Sequence, residues 1–453
     1  MGVMADLADL QKLIDHEAGA LGVPGAAVGV IHDGGRHVLT TGVASVDAPV
    51  PVTADTLFQI GSTTKTVTAT VIMHLVERGE LRLDGRVREY LPGFELADEA
   101  AADAVTIEHL LTHTGGFLGD IDDGESWGPS ALADAIAVYG GLPQLFPPGT
   151  VASYSNAGFR LLGRIAEVVS GLPYEELVRR VVLEPLGMTS SFFFPWEAAT
   201  RPHAVGHVGG DDGPRVAHTW GLFRESMPEG GLLSSVTDQL RYAAFHLEGA
   251  ATGQAPLTGE TRALMQRDRI AVGVPWKAIG LPWLIDERAG LRLVTHGGNV
   301  GNIQLSSFVL APEHGFAVTA LTNAGPGKRL GELVLGWCME HLLGAPQAEV
   351  KPSLSRDPVA KEYTGGYYAG QWTFQVAAEG ERLRVRMELA EELAAAGVAA
   401  LPELELAFLD DGERDTVVMV TDPGRPAGRF LRDEGGRIAF LHLAGRAAQK
   451  LPA

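Results

Sequence analysis

The stretch FQIGSTTK, Phe58 to Lys65, places a serine and a lysine three residues apart. Apolar residues then recur at helical spacing through Val67, Val71 and Leu75 as far as Arg78, and Gly79 follows as a stop. Ser62 and Lys65 are therefore expected one turn apart on the same face of a helix start. The plain reading is that Ser62 caps that helix and Lys65 is an ordinary first-turn residue. The chemical reading is that Lys65 turns Ser62 into a nucleophile. A serine hydroxyl attacks poorly until a base takes its proton, and a lysine can be that base when burial or a nearby cation lowers its pKa. A helix N-terminus also offers a backbone N–H to a developing oxyanion. Phe58 and Ile60 read as the end of a strand or a buried loop, and Gly61 permits a tight entry into the helix. An isolated S-x-x-K arises often by chance, so the choice rests on the rest of the chain.

At 453 residues the chain is long enough to bury a large core. A hydrophobic content of 45% and a charged content of 20% are those of a globular protein in water. The formal net charge of −20 argues against nucleic acid or an anionic membrane as partner. Cys338 is the single cysteine, which precludes an intrachain disulfide and suits a reducing compartment. The N-terminal stretch reads as an amphipathic helix with Leu7, Leu10, Leu13 and Ile14 on one side, without the pattern of a secretory signal. No run of about 18 apolar residues is present. The expected location is the cytoplasm.

Beyond the first helix, AAVGVIH and HVLTTGVAS flank the turn residues DGGR and read as a hairpin. Residues from about 80 to 225 are mostly helical, and LLGRIAEVVSG is the clearest helix among them. Strand patterns return at IGLPWLID, LRLVTHGG, QLSSFVLAP and GFAVTALTN, before a helix at LGELVLGWCMEHLLG. Strands at both ends with helices between imply an α/β domain over 1–345, its antiparallel sheet completed by distant pieces and a helical part inserted on one side. GAPQAEVKPSLSRDP reads as a linker, placed at 346–357. Residues 358–453 alternate in the manner of a small antiparallel β-barrel, with AEELAAAGVAA as a short helix or loop.

Two further segments carry chemistry. In SYSNAGF, Tyr154 and Asn156 are two apart, so an extended backbone would aim both into one space. A tyrosine can relay a proton where cations lower its pKa, and Asn156 supplies a donor and an acceptor. In LVTHGGNVGN a strand pattern ends at His296, and Gly297 and Gly298 would let a substrate approach the backbone closely. His296 is suited to polarise the tyrosine hydroxyl or to bind a substrate carbonyl or carboxylate. Taken singly, each segment also fits a purely structural role.

Together, S-x-x-K, Y-x-N and a [K/H]-x-G strand appear in the order that marks the serine β-lactamase and penicillin-binding-protein superfamily, which this chain resembles. HLLTHTGG, LFPPGT, EPLGM, EGGLLSSVTDQLRYAAFHL and FVLAPEHGFAVTALTN extend the resemblance over roughly residues 5 to 345. It is similar in particular to the branch holding class C β-lactamases, esterases, D-aminopeptidases and related peptidases. The barrel resembles the lipocalin-like domain of some of these peptidases and of peptide-cyclising thioesterases. The resemblance implies Ser62 as the acylated nucleophile, with Lys65 and Tyr154 sharing base and proton-shuttle work. It implies Asn156 as the group that positions Lys65 and substrate, and the backbone N–H groups of Ser62 and Asn299 as the oxyanion hole. Where β-lactamases carry K-T-G this chain has His296-Gly297-Gly298, which points away from penicillins and toward peptides and amides. The expected partner is a small or peptidic acyl donor, with water or an amine as acceptor. No cofactor or metal is implied.

Three other signals carry less. GESWG, 124–128, matches the G-x-S-x-G elbow, but acidic, turn-like residues stand where that motif needs a strand, so Ser126 is not expected to be a nucleophile. His109 with His113, and His203 with His207, have helical metal-ligand spacing, but neither pair has the glutamate of H-E-x-x-H, and structural or surface roles are expected. GDIDDGE lacks the spacing of a calcium loop and reads as a solvated loop near the cleft.

Overall fold

The computed structural model describes residues 2–452 except 122–123, 211–212, 250–254, 347–352, 356, 371, 390–402 and 411–414. The AEELAAAGVAA segment and much of the expected linker lie outside the described residues.

Helix α1 (Gly2–Leu21) leads into a hairpin of β1 (Gly25–His32) and β2 (Gly35–Gly42). The chain then leaves for a long excursion containing α2 (Thr64–Glu77), α3 (Asn156–Ser170) and α4 (Val236–Glu248). It returns through β3 (Ile270–Ala271), β4 (Ala278–Ile279), β5 (Leu284–Arg288), β6 (Leu291–Val300), β7 (Gln304–Ala311) and β8 (Phe316–Thr322), and α5 (Gly327–His341) follows. The eight strands form one antiparallel sheet in the order β2-β1-β8-β7-β6-β5-β4-β3. Its closing pair joins residues nearly 300 apart, with Ala26 opposite Thr322. The apolar run of β8 is buried along its whole length because helices cover both faces of the sheet. On one face Leu10, Ile14 and Ala18 of α1 pack with Leu330, Val334 and Cys338 of α5. On the other lie α2 and α4, and α4 approaches so closely that a Cβ at Gly29 would come 2.8 Å from the Leu240 side chain.

The C-terminal segment closes on itself as an eight-stranded antiparallel barrel: β9 (Gly365–Tyr368), β10 (Trp372–Glu379), β11 (Arg382–Leu389), β12 (Leu404–Phe408), β13 (Thr416–Met419), β14 (Asp422–Arg432), β15 (Ile438–Leu443) and β16 (Arg446–Lys450). Each strand pairs with the next, and β16 pairs with β9, so no edge remains. Tyr367, Val385, Leu406, Val417, Phe430 and Leu441 fill the interior. Among the described residues no helix is long and apolar enough to cross a membrane.

Candidate active site

Ser62 does not cap α2. It sits in a single 3₁₀ turn, Gly61–Thr63, and the residue at the cap position of α2 is Thr63, whose side chain makes no capping bond. The turn is fixed from behind. Ser306 of β7 donates to the Ile60 carbonyl at 2.6 Å and shares a hydrogen bond with Thr63 Oγ1 at 2.8 Å. Gly61, at φ +53°, lies against β6, where an added Cβ would come 2.8 Å from the backbone nitrogen of Asn299. A side chain at Gly298 would collide with the Ile60 carbonyl oxygen. Glycine is therefore required on both sides of this junction, and it brings the Ser62 and Asn299 segments together.

Lys65, the second residue of α2, is fully buried. Its Nζ lies 3.1 Å from Ser62 Oγ, 2.6 Å from Asn156 Oδ1 and 2.7 Å from the Glu229 carbonyl oxygen. Burial dominates its titration and brings the amine down to about 7, with Glu229 opposing and the Arg446 cation assisting. As an ammonium, Lys65 donates to all three oxygens. Once neutral it keeps two N–H donors for the two carbonyl-type acceptors and directs its lone pair toward the serine hydroxyl.

Asn156 opens α3, and Ser155 caps that helix by accepting from Gly158 N at 3.0 Å. With Oδ1 on Lys65, the Asn156 amide turns its Nδ2 to donate to Asp120 at 2.7 Å. Tyr154 directly precedes the cap residue, its ring centroid 4.9 Å from Lys65 Nζ. Its phenol interacts with Ser62, yet burial drives its pKa well above the ordinary value, so it rests as the neutral phenol.

His296 is buried on β6, its ring 6.2 Å from that of Tyr154. Nδ1 faces the Gly297 carbonyl oxygen at 2.9 Å and must therefore carry the proton. Burial and the Lys65 charge hold the imidazole pKa down to about 3. Nε2 is then an acceptor, and it has no partner among the described residues. A neutral ring with a buried, unpartnered lone pair is matched to an N–H or O–H donor. The structure thus gathers Ser62, Lys65, Tyr154, Asn156, His296, Gly297, Gly298 and Asn299 around one place.

Four groups at this site were not anticipated. His113 stacks on the Tyr154 ring at 4.4 Å and accepts from Ser155 N at 3.1 Å, held at φ +57°. The Glu229 backbone carbonyl holds Lys65, and its side chain forms a buried two-bond pair with Arg160 at 2.7 and 3.1 Å. Asp120, expected in a solvated loop, is buried and bonded to Asn156. Arg446 reaches from the barrel, pairs with Asp120, and lies 4.8 Å over the Tyr154 ring. Ser126 has a structural role: its hydroxyl accepts from Gly128 N and its carbonyl from Arg224 N. Among the described residues no three His, Cys, Asp or Glu side chains are grouped to hold a metal.

A family model described as Beta-lactamase matches residues 10–334. Penicillin-binding protein 4 of Amycolatopsis lactamdurans is 36% identical over 359 residues, covering 75% of this chain and 93% of that protein. A β-lactamase of Yersinia enterocolitica is 31% identical over 234 residues, 50% of this chain and 56% of the relative. Among solved structures, SurE aligns over 99% of both chains with a TM-score of 0.76 and 28% identity. The octameric penicillin-binding protein homologue of Pyrococcus abyssi aligns over 98% of this chain and 99% of its own, with a TM-score of 0.65 and 27% identity.

Proposed function

Because this chain belongs to the β-lactamase family, it is a serine enzyme of acyl transfer, and we propose that Ser62 takes up the acyl group of a peptide, amide or ester and passes it chiefly to water, as D-aminopeptidases and esterases do. The observation that carries this reading is the Lys65 amine, buried 3.1 Å from Ser62 Oγ with two other oxygens occupying its N–H donors. With a pKa near 7, a substantial fraction is neutral at neutral pH and ready to accept a proton.

In the proposed course, Lys65 takes the Ser62 proton as Oγ bonds to the acyl carbon, and the carbonyl oxygen gathers charge toward the N–H groups of Ser62 and Asn299. Tyr154, held as the neutral phenol, passes a proton to the departing amine or alkoxide and is reprotonated from the Lys65 ammonium. Water then attacks the ester with Lys65 again as base, and the acid leaves. His296 in place of the lysine of K-T-G favours peptides and amides as donors. The lone Cys338 thiol, buried and unpaired, suits a reducing compartment, and we place the enzyme in the cytoplasm.

Aminolysis is the second reading, in which an amine resolves the acyl-enzyme to give a new amide or a cyclic peptide. Its support is the structure of SurE with D-Leu, 27% identical over 99% of this chain, because a free amino acid seated in that protein carries the amine an acceptor needs. Intact-protein mass spectrometry distinguishes the readings. A panel of D- and L-peptide amides, thioesters, simple esters and a β-lactam is presented with and without an amine. An adduct on Ser62 released as acid supports hydrolysis, and one released as amide supports aminolysis. If neither the panel nor a general serine-reactive probe labels Ser62, the acyl-enzyme reading falls.

A further inference from the structure

The segment that carries Tyr154 is held on one side by the catalytic domain and on the other by the barrel. Ser153 N donates to the His113 carbonyl at 2.9 Å on the catalytic side. On the barrel side, Tyr154 N donates to the Gly445 carbonyl at 2.9 Å, Ala447 N to Ser153 Oγ at 3.1 Å, and His442 Nε2 to the Ala152 carbonyl at 2.9 Å. Ala444 and Gly445, at φ +51° and +84°, make the tight turn between β15 and β16 that presents these groups. Its tip is wedged so closely against Trp276 that a side chain at Gly445 would strike the indole. The first residue after the turn is Arg446. Its guanidinium pairs with Asp120 through Nε and, at 3.3 Å, through Nη2, while the same carboxylate accepts from Asn156 Nδ2 at 2.7 Å.

We propose that the barrel is a working part of the acyl-transfer site, and that Arg446 is a positioning residue: it holds Asp120, which fixes the Asn156 amide, which aims Lys65 at Ser62. The chain of contacts is continuous from the barrel to the nucleophile. One edge of the guanidinium is already occupied by a carboxylate and one face lies over the Tyr154 ring, at 4.8 Å. That arrangement fits a strut better than an anchor for a substrate carboxylate. The same cation acts on Lys65 through space. Charged or titratable groups acting on the amine are Glu229, Arg446, Asp120 and Arg160, with His113, His296 and Tyr154 also around it. Removing Arg446 takes away one repelling charge and leaves Asp120 as an unneutralised attracting one, so both changes stabilise the Lys65 ammonium.

The proposal rests on Ser62 acylation for its kinetic consequence but not for its electrostatic one, so two readouts are needed. The first is the NMR titration of Lys65 in protein labelled at lysine ¹³Cε, assigned with Lys65→Arg. The second is the pH profile of acylation by p-nitrophenyl butyrate, which carries no carboxylate. In Arg446→Met the Lys65 midpoint should rise by about one unit, and acylation at pH 6 should fall about tenfold. Arg446→Lys keeps the charge without the fork and should leave the midpoint near the wild-type value while losing part of the rate. The double variant Arg446→Met with Asp120→Asn removes both charges and should return the midpoint toward wild type. An unchanged midpoint and profile in Arg446→Met would overturn the proposal, as would a defect confined to KM for carboxylate-bearing substrates. If wild-type protein is not acylated at all, the functional reading fails, while the Lys65 titration still decides the role of Arg446.

Discussion

Two arginine–carboxylate pairs bracket the Lys65 amine, and they differ in where they come from and how deeply they lie. Arg160 and Glu229 pair wholly inside the catalytic domain, with side chains 8% and 7% exposed. Arg446 and Asp120 pair across the junction with the barrel, with side chains 25% and 7% exposed. Each is one bond removed from a Lys65 acceptor: Glu229 supplies its own backbone carbonyl, and Asp120 holds the Asn156 amide. In each pair the anion favours the ammonium and the cation opposes it, so their fields on Lys65 partly cancel. Burial is left as the main reason the amine is held near 7. The difference teaches that similar contacts serve different ends. A fully enclosed pair is bound up with the fold itself, whereas a pair open on one side can set geometry and charge without supporting the core.

The sharpest way to break this comparison is Arg160→Met. It leaves the Glu229 carboxylate buried against α2 and α3 without its cation, a situation that costs about 3–5 kcal/mol. Denaturant unfolding monitored in the catalytic domain should show a loss of that order. A loss below about 1 kcal/mol would mean that the inner pair is no more structural than the outer one.

An effect of similar size, spread over pH, belongs to Lys65 itself. Its pKa is about 7 when folded and 10.5 when exposed, so between those values the unfolded chain holds the proton that the folded chain has released. Stability therefore rises with pH across that window, and the penalty of burying the charged form is fully present below pH 7. The slope from this one group is roughly 1 kcal/mol per pH unit. Lys65→Met should remove it, so the variant would be more stable than wild type at pH 6.5, with the gap closing by pH 10. Parallel stability curves for the two proteins would show that burial is not what sets this amine.

Which parts of the site could be read from the chain follows from the same contrast. Ser62 with Lys65, Tyr154 with Asn156, and His296 with its two glycines are short motifs whose residue types already state their chemistry. The strands of the sheet were also readable as short apolar runs, because β1, β7 and β8 are buried almost throughout. The Glu229 carbonyl was not readable, because any residue presents the same backbone oxygen. Asp120 looked like one more acid in a polar loop, since its burial is imposed by a partner 326 positions away. Arg446 lies in the strand RAAQK, where nothing separates it from the other surface arginines of a barrel. Ser62 looked like a helix cap because a 3₁₀ turn before a helix has the same sequence signature as a cap. The distinction came only from Ser306 and Gly298 on neighbouring strands.

The smallest effect sharpens the comparison most. Arg446→Met should lower global stability by less than Arg160→Met does, because the arginine side of the outer pair is 25% exposed and the Asp120 carboxylate it leaves behind still accepts from Asn156. The barrel keeps its own core of Tyr367, Val385, Leu406, Phe430 and Leu441, none of which depends on the arginine. The Gly445 and Ala447 backbone bonds to Ser153 and Tyr154 also survive the substitution. Raising the salt to 1 M shortens the screening length to about 3 Å and should weaken the outer pair while leaving the enclosed Arg160–Glu229 pair nearly untouched. Wild-type acylation should then drift toward the Arg446→Met rate with no change in the unfolding transition. If Arg446→Met instead unfolds as readily as Arg160→Met, the outer pair is part of the fold, and the barrel supports the catalytic domain as a whole and not the aim of one lysine.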